Sequence, residues 1–325
     1  MPINWYPGHM ARAKRLLSDQ LSRVDVVVEL CDARMPHASR NPDLDALCKN
    51  KKRILVLNKS DLAEPGLTSA WLSHFARRGV EAMAYSSVSG KAKDVFARIE
   101  RAAREEVARQ AARGVKKTVR VMVVGVPNVG KSTFINRLHG GAIAKTGDRP
   151  GVTRANQWVR VTPYLELLDT PGLLWPRLDD QIAARRLCYI GTIRDQVVDH
   201  QMLAIHLLDD LMGSAPEAAI QRFRLKEPYG EGLALLENAC RGRGWLLPGG
   251  VLDTDRGASV VLDEFRAGKL GRMTLEHPPQ ERPPQVRPPQ VRPPRAKADP
   301  VEEQAKEEAA NAQGPEGTPD GDHAD

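Results

Sequence analysis

The sequence VRVMVVGVPNVGKSTFIN, at Val119–Asn136, decides the fold. Its apolar run ends at Gly125, and a helical pattern begins at Lys131. Between them, the residues from Gly125 to Ser132 match the pattern G-x-x-x-x-G-K-[ST]. After a strand and before a helix, this pattern predicts a phosphate-binding loop. A glycine turn beside a surface lysine is the alternative.

The residue types of this loop suit a nucleotide phosphate. Glycine lets the backbone approach the phosphate with its N–H groups, and the N-terminus of the next helix favours negative charge. Lys131 supplies a positive charge for the β- and γ-phosphates, and the Ser132 hydroxyl can bind Mg²⁺. The predicted phosphate-binding residues are Gly125, Val126, Pro127, Asn128, Val129, Gly130, Lys131, Ser132, Thr133 and Gly172.

The composition is typical of a globular protein with a basic body. Of the 325 residues, 41% are hydrophobic and 27% are charged, and the formal net charge is +7. From His277 onward there are six basic and ten acidic residues, so this segment carries −4 and the remainder +11. A positive body favours a polyanionic partner such as nucleic acid, and a generally basic, soluble surface is the alternative.

No apolar run is long enough to span a bilayer, and the sequence MPINWYPGHMARAK at the N-terminus has no hydrophobic signal region. We therefore expect a cytoplasmic protein with no membrane partner. The four cysteines contain no C-x-x-C pair. They are expected to be reduced and mostly in the core, not metal ligands or disulfides.

Alternating strand and helix patterns predict an α/β fold with a mostly parallel sheet covered by helices. Strands are predicted at 24–30, 53–57, 81–85, 119–124, 157–161 and 164–168. From about Pro176 the strand signal fades, and helical spacing predicts helices at 203–211, 216–223, 232–240 and 259–268. The predicted domains are a nucleotide-binding domain at 1–175, including an N-terminal helical segment at 1–23, a small all-helical domain at 176–276, and a tail at 277–325.

The tail has a composition that cannot bury a core. The unit Pro-Pro-Gln-x-Arg repeats at 278–282, 283–287 and 288–292, and an acidic end follows. We predict that this tail is extended and disordered. A proline-rich docking ligand is the alternative to a passive tail.

The sequence NKSD, at 58–61, follows a predicted strand, where ligands bind in open α/β sheets. The carboxylate of Asp61 can accept hydrogen bonds from the N1–H and the exocyclic amine of guanine. Asn58 can hold the loop or contact the base, and the Lys59 stem can cover the base plane. The turn at 86–90 can offer backbone N–H groups to the guanine carbonyl, with an ordinary turn as the alternative. The predicted guanine-binding residues are Asn58, Lys59, Asp61, Ser86 and Ser87.

The sequence DTPG, at 169–172, supplies the other half of a metal–phosphate site. The carboxylate of Asp169 can hold Mg²⁺ through water, and the N–H of Gly172 can contact a γ-phosphate. Thr153 has the placement of a switch threonine that binds Mg²⁺ only with a triphosphate, and a plain loop threonine is the alternative. Ser132, Thr153 and Asp169 are therefore the predicted Mg²⁺ ligands.

The order of these motifs is unusual, because the guanine loops precede the phosphate loop and DTPG comes last. In this order the chain resembles the circularly permuted GTPases, and specifically the ribosome biogenesis GTPase A (YlqF-type) family. The resemblance covers the chain to about residue 275. It rests on WYPGHM at 5–10, DARMP at 32–36, NKSD at 58–61, the phosphate loop, PGVT at 150–153 and DTPG at 169–172.

The resemblance implies a circularly permuted P-loop GTPase domain followed by a helical domain that binds RNA or the ribosome. It implies that GTP hydrolysis drives a late step of large ribosomal subunit assembly, after which the protein leaves. The expected partners are GTP, GDP, the large-subunit precursor and its ribosomal RNA, and no DNA partner is expected. A regulatory GTP-binding switch that recruits a protein is the alternative.

Catalysis is expected to need help. Ras-like enzymes place a water-orienting glutamine after Asp-x-x-Gly, but this chain has Leu173 there. His9 is the predicted catalytic residue, because an imidazole can position or deprotonate water and the resemblance points to the same residue. A histidine that stabilises the first helix is the alternative. Asn128 resembles the asparagine that helps bind K⁺ in potassium-activated GTPases, or it tolerates an unusual backbone angle.

No single motif marks an RNA-binding surface. Basic residues cluster on a predicted helix and in the helical domain, at Arg98, Arg101, Arg104, Arg109, Arg113, Lys116, Lys117, Arg222, Arg224, Lys226, Arg241, Arg243, Lys269 and Arg272. Acidic residues on the same helix leave a solvated face as the alternative there. Arg34, after the first strand, is expected to pair with Asp32, and contact with nucleotide or RNA is the alternative. The short link after Gly172 predicts that loss of the γ-phosphate repositions the helical domain.

Overall fold

A six-stranded sheet forms the centre of the computed structural model, which describes residues 17–143, 157–172, 180–193 and 198–279. The strands lie in the order β3-β2-β1-β4-β6-β5, and among them the β5–β6 pair alone is antiparallel. The mostly parallel α/β fold predicted from the sequence is confirmed. The strands are β1 (Val26–Asp32), β2 (Lys52–Asn58), β3 (Glu81–Ala84), β4 (Val119–Val124), β5 (Gln157–Thr162) and β6 (Leu165–Asp169).

Helices cover the sheet and then form a helical part of their own. The sheet-covering helices are α1 (Asp43–Leu47), α2 (Pro65–Arg77), α3 (Ala92–Ala111) and α4 (Lys131–His139). The helices that follow the sheet are α5 (Gln181–Tyr189), α6 (His200–Ser214), α7 (Pro216–Phe223), α8 (Leu233–Arg243) and α9 (Thr254–Arg266). Of these, α6 packs against α7, α8 and α9. None of the helices that the structure describes is long and apolar enough to cross a membrane.

The first strand shows why a continuous apolar run forms a central strand. All seven residues of β1, VVVELCD, are buried between β2 and β4, as expected for a parallel strand covered on both faces. The strand runs over 26–32 and not over the predicted 24–30. The reason is its register with β2, which continues until Asp32 lies opposite Asn58. Asp32 therefore ends the strand and does not follow it.

The two faces of the sheet bury different residues. On one face, Ile99 of α3 and Phe134 of α4 belong to the same core as Val28. On the other face, Val27 packs with Leu17, from a helical segment at 17–21. Alternate residues of one strand point to opposite faces, which explains this division. Because both faces are covered, the carboxyl edge of the sheet is the place left for a ligand.

Several helices begin at acidic N-caps. Glu64 caps α2, accepting a hydrogen bond from the backbone N–H of Gly66 at 2.8 Å, and Pro65 occupies the first turn. Asp180 and Asp199 cap α5 and α6 in the same way. Such caps satisfy N–H groups that a helix cannot pair internally. They fix where the helices of the second part begin.

The last described segment returns to the sheet. Residues 273–276, the C-terminal strap, follow α9 and lie against loops at the carboxyl edge. The N–H of Met273 donates to the carbonyl of Leu62 at 3.0 Å, and the N–H of Leu275 donates to the carbonyl of Arg34 at 2.8 Å. The Trp71 indole donates to the carbonyl of Glu276 at 2.9 Å. The helical part is thus joined to the sheet by contacts that the sequence did not predict.

The described residues between 17 and 279 belong to one compact unit. The predicted boundary between 175 and 176 lies inside this unit, and the predicted domain limits stay predictions. The tail from residue 280 onward lies outside the described residues.

Candidate nucleotide-binding site

The predicted nucleotide-binding residues meet at the carboxyl edge of the sheet. Asn58 ends β2, and Asp169 ends β6. The phosphate loop lies between β4 and α4, in the strand–loop–helix order that the motif predicts. The N–H groups of the first turn of α4 therefore border this loop, as anion sites at helix N-termini require.

The start of the phosphate loop shows why its first residue is glycine. Gly125 passes so close to β1 that a Cβ on it would lie 2.5 Å from the carbonyl oxygen of Leu30. No side chain fits there. Asn128, further along the loop, has a φ of 65°, in the left-handed region that asparagine tolerates better than most residues.

Asn58 holds two loops together. Its Nδ2 donates to the carbonyl of Val129 at 2.7 Å. Its Oδ1 accepts from the backbone N–H of Ser87 at 3.1 Å and from the hydroxyl of Ser87 at 2.7 Å. The structure shows the role of Asn58 that holds the loop, and its contact with the base stays a prediction. The N–H of Ser87 serves Asn58 here, so the proposed contacts of Ser86 and Ser87 with guanine stay predictions.

Lys59 also contacts the phosphate loop. Its Nζ donates to the carbonyl of Asn128 at 2.8 Å and lies 3.3 Å from the Oδ2 of Asp32. The ammonium thus joins the end of β1 to the phosphate loop. The cover that the Lys59 stem gives to a base stays a prediction. Asp61 is half-buried in the turn that follows.

Asp32 anchors a buried ion cluster beneath the guanine loop. It is 0% exposed, and Arg34 donates to its carboxylate from Nε at 2.9 Å and from Nη2 at 2.8 Å. Burial alone would raise the pKa of Asp32, but Arg34 and Lys59 outweigh it and hold the pKa well below its usual value. The expected pairing of Arg34 with Asp32 is confirmed. Arg34 also donates from Nη1 to the carbonyl of Phe265 in α9, at 2.7 Å.

Lys131 is positioned for a phosphate. Its side chain is buried, and its Nζ donates to the carbonyl of Val126 at 2.8 Å. Burial lowers the pKa of Lys131 to about 8, although Asp169 opposes the shift. A buried ammonium with a lowered pKa gains from an added anion. The loop is thus prepared for a polyphosphate.

Two oxygens beside Lys131 suit a hard cation. The hydroxyl of Ser132 lies 3.4 Å from the Oδ2 of Asp169. Alcohol and carboxylate oxygens are the donors that Mg²⁺ prefers, so the residues present fit the predicted metal. Gly172 lies against the phosphate loop, since a Cβ on it would be 2.7 Å from the backbone N of Pro127. Thr133 is exposed on the first turn of α4.

The lowered pKa of Lys131 predicts a pH-dependent affinity for GDP. With a pKa of about 8 in the free protein, Lys131 loses its proton as the pH rises, and a bound phosphate requires that proton back. The affinity should therefore be about fourfold lower at pH 8.5 than at pH 7. Calorimetry in buffers of different ionisation enthalpy should show uptake of about 0.8 proton at pH 8.5.

The conservative Lys131→Arg variant is the control for this effect, because a guanidinium stays protonated throughout the range. It should bind without proton uptake. A wild-type protein that binds GDP equally well at both pH values, with no proton uptake, would contradict the assignment.

Three predicted residues cannot be placed. His9, Thr153 and Leu173 lie outside the described residues. The catalytic role of His9, the switch role of Thr153 and the missing water-orienting side chain at Leu173 stay predictions.

Sequence reasoning missed a contact between the phosphate loop and the helical part. The Nδ2 of Asn128 donates to the carbonyl of Gly191 at 2.6 Å. The hydroxyl of Thr192 donates to the carbonyl of Pro127 at 3.0 Å. These partners are more than 60 residues apart in the chain, and no local pattern indicates the contact.

Known proteins named as GTPases are similar to this chain. A family model described as a 50S ribosome-binding GTPase matches residues 120–228. A Priestia megaterium protein named Ribosome biogenesis GTPase A is 44% identical over 283 residues, covering 86% of this chain and 98% of that protein. A Thermotoga maritima protein of the same name is 31% identical over 276 residues, covering 85% of this chain and 95% of that protein.

Solved structures agree with these relatives. A GDP-bound YlqF structure has a TM-score of 0.61 and 27% identity, covering 81% of this chain and 99% of that chain. A GNP-bound YlqF structure from T. maritima has a TM-score of 0.58 and 28% identity, covering 82% and 98%. The family model begins inside β4, but the relatives match over nearly their whole length. The likeness therefore includes the guanine loops that precede the phosphate loop.

Proposed function

We propose a specific task for this chain, which belongs to the ribosome biogenesis GTPase A family and is a GTPase of ribosome biogenesis. The protein acts at a late step of large ribosomal subunit assembly. It binds the precursor particle through ribosomal RNA, and GTP hydrolysis releases it. The relatives support the general role, and the charges of the helical part support the RNA partner.

The single observation that carries the RNA proposal is a set of exposed cations in the helical part. Lys226, Lys269 and Arg272 are exposed, and none of them pairs with a carboxylate among the residues that the structure describes. By contrast, Arg222 and Arg243 both pair with Glu264. A cation that is not paired with a carboxylate is available for a phosphate.

Three arginines of α3 differ from these cations, whereas Arg104 on the same helix is exposed and pairs with no carboxylate among the residues that the structure describes. Arg98 and Arg101 both pair with Glu81, and Arg109 pairs with Glu106. Two carboxylates thus partly offset the three positive charges within the protein. We therefore propose that the helical part, and not this face of α3, provides the RNA contact.

In the reaction, each residue of the site has a distinct role. Lys131 and the N–H groups of the phosphate loop bind and orient the phosphates, and Asp61 selects guanine. Ser132 and Asp169 would hold Mg²⁺, which when bound supplies positive charge to the phosphates. We propose His9 as the residue that positions water and Asn128 as a ligand of K⁺. A cytoplasmic location is likewise a proposal.

Binding to the precursor particle tests this function. A triple variant with Lys226, Lys269 and Arg272 changed to Gln should bind large-subunit precursors more weakly than the wild type, in the presence of a non-hydrolysable GTP analogue. The wild-type affinity should fall about tenfold between 50 and 200 mM salt for every two phosphates contacted. The triple variant should show a smaller salt dependence. Co-sedimentation at several salt concentrations measures both quantities.

The matched control changes Arg98, Arg101 and Arg109 to Gln, which removes the same charge from paired positions. This variant should bind like the wild type. Equal losses in the two variants would show a general charge effect and contradict an RNA site in the helical part. Absence of any particle binding would favour a GTP-binding switch that recruits a protein partner instead.

A further inference from the structure

We propose that the turn at 190–192, here called the contact turn, positions the phosphate loop, with Thr192 as its positioning residue. The helical part then sets the nucleotide affinity of the GTPase site by direct contact. The proposal goes beyond the link through the segment after Gly172. It rests on the GTPase activity and does not depend on the RNA partner.

The contact between the contact turn and the phosphate loop is buried, and each of the two segments donates hydrogen bonds to the other. Thr192 is 1% exposed, and its hydroxyl donates to the carbonyl of Pro127 at 3.0 Å. The amide of Asn128 donates to the carbonyl of Gly191 at 2.6 Å, and it lies 3.3 Å from the carbonyl of Ile190. Two consecutive residues of the phosphate loop thus bond to three consecutive residues of the helical part.

These bonds determine where the loop N–H groups point. In a planar trans peptide the C=O and the following N–H point in opposite directions. Thr192 holds the carbonyl of Pro127, so it also fixes the N–H of Asn128. Lys59 holds the carbonyl of Asn128 at 2.8 Å, so it fixes the N–H of Val129. Phosphate loops bind their anion through such backbone N–H groups.

Of the two side chains that bind these carbonyls, Lys59 belongs to the guanine loop and Thr192 belongs to the helical part. A displaced Thr192 would free the Pro127–Asn128 peptide to rotate, and its N–H would lose its fixed direction. The nucleotide would then have to order this peptide when it binds, and the entropy lost in doing so would weaken the affinity. The affinity for GDP should therefore depend on the position of the helical part.

The contact turn is itself held in place by α9. Arg266 donates to the carbonyl of Tyr189 from Nε and to the carbonyl of Cys188 from Nη2, both at 3.0 Å. Gly191 has a φ of +68°, and a Cβ on it would lie 3.0 Å from the Nδ2 of Asn128. The turn is therefore tightly packed between the phosphate loop and α9. A shift of the helical part must move the carbonyl of Gly191 and the hydroxyl of Thr192 together.

Because coupling between two sites is reciprocal, the effect should operate in both directions. A ligand that shifts the helical part would change the affinity for nucleotide. A bound nucleotide would, in turn, stabilise the contact turn. Each direction gives a separate measurement.

The first measurement compares Thr192→Val with Thr192→Ser in the full chain. Valine keeps the shape but leaves the carbonyl of Pro127 without its donor, and serine keeps the donor. The dissociation constant for GDP should rise about three- to tenfold in Thr192→Val, as expected for one neutral hydrogen bond, and stay near the wild-type value in Thr192→Ser. Fluorescence titration with labelled GDP measures both constants.

Thr68→Val is the matched control. Thr68 is also a buried threonine, and its hydroxyl donates to the carbonyl of Glu64, the N-cap of α2, at 2.8 Å. A merely structural effect would lower the unfolding midpoint of both valine variants and leave both GDP affinities unchanged. That outcome, or an equal loss of affinity in the two variants, would overturn the proposal.

The second measurement uses the wild-type protein and so does not depend on the folding of a variant. The N–H of Gly191 donates to the carbonyl of Cys188 at 2.9 Å, and the N–H of Thr192 donates to the carbonyl of Leu187 at 3.1 Å. GDP should slow hydrogen exchange at these two amides, in the absence of ribosomal particles. Identical exchange with and without saturating GDP would contradict the coupling.

Discussion

Replacing Asp61 by Asn should lower the affinity for GTP by about a hundredfold or more and create affinity for xanthosine triphosphate. Guanine offers two donors, its N1–H and its exocyclic amine, to one carboxylate. A hydrogen bond to a charged group contributes about 1.5–3 kcal/mol, so the loss of one such bond and the weakening of the other reach this size. Xanthine has a carbonyl in place of the amine, and the side-chain amide that Asp61→Asn introduces can donate to that carbonyl.

The surroundings of Asp61 allow the exchange without disturbing the fold. Asp61 is half-buried in the turn after β2. Its neighbours hold that turn, since the N–H of Ser60 donates to the carbonyl of Tyr85 at 3.2 Å and the carbonyl of Leu62 accepts from Met273 at 3.0 Å. The changed residue should therefore alter the base that is chosen and leave the turn in place.

Titration of both triphosphates against the wild type and Asp61→Asn checks this prediction. The ratio of the two affinities should reverse between the proteins. ATP serves as the control nucleotide, because adenine matches neither side chain. A folded Asp61→Asn protein that still prefers GTP would show that the guanine contact lies elsewhere.

The sequence predicts the parts of the site that lie within single motifs. The phosphate loop could be located because its glycines, Lys131 and Ser132 have fixed spacing over eight residues and a strand and a helix flank them. The guanine loop could be placed at a strand end for the same reason. In both cases the ligand-binding residues lie next in the sequence to the strand or helix that positions them.

The contacts that join the two parts of the protein could not be predicted in this way. Arg34 bonds to Phe265 and Asn128 bonds to Gly191, and each pair is separated by many residues with no repeating pattern. Arg266, which holds the contact turn, is one of 48 basic residues, and nothing in its neighbours marks it out. Such contacts depend on how α9 packs, which local spacing does not encode.

Replacing Asp32 by Asn should have the largest effect on stability. The carboxylate of Asp32 is fully buried and faces Arg34 and Lys59, whose nitrogens lie 2.8 and 3.3 Å away. In the variant, both cations at the end of β1 lose this negative charge. Breaking a buried ion pair from one side costs about 3–5 kcal/mol, so the free energy of unfolding should fall by about that amount at pH 7.

The effect should depend on pH in a defined direction. Because the pKa of Asp32 is lowered in the folded protein, its stabilisation is present above the unfolded pKa of about 3.9 and is lost as the pH falls toward the folded value. The difference between the wild type and Asp32→Asn should thus be constant from pH 7 to about pH 5. This difference should become smaller below pH 4, because the wild type then loses the stabilisation by ionised Asp32, which the variant lacks at every pH.

Asp45→Asn provides the matched control, since Asp45 also contacts two arginines, Arg40 and Arg53, but its side chain is 58% exposed. An exposed pair contributes less than about 1 kcal/mol, because solvent screens it. Urea unfolding of the nucleotide-free proteins at pH 7, 5 and 3 separates the two positions. If Asp32→Asn lost no more stability than Asp45→Asn, the buried ion cluster around Asp32 would not be what holds β1 against the guanine loop. A larger loss of stability in Asp32→Asn that becomes smaller at low pH would show that the contact between β1 and the guanine loop depends on the negative charge of Asp32.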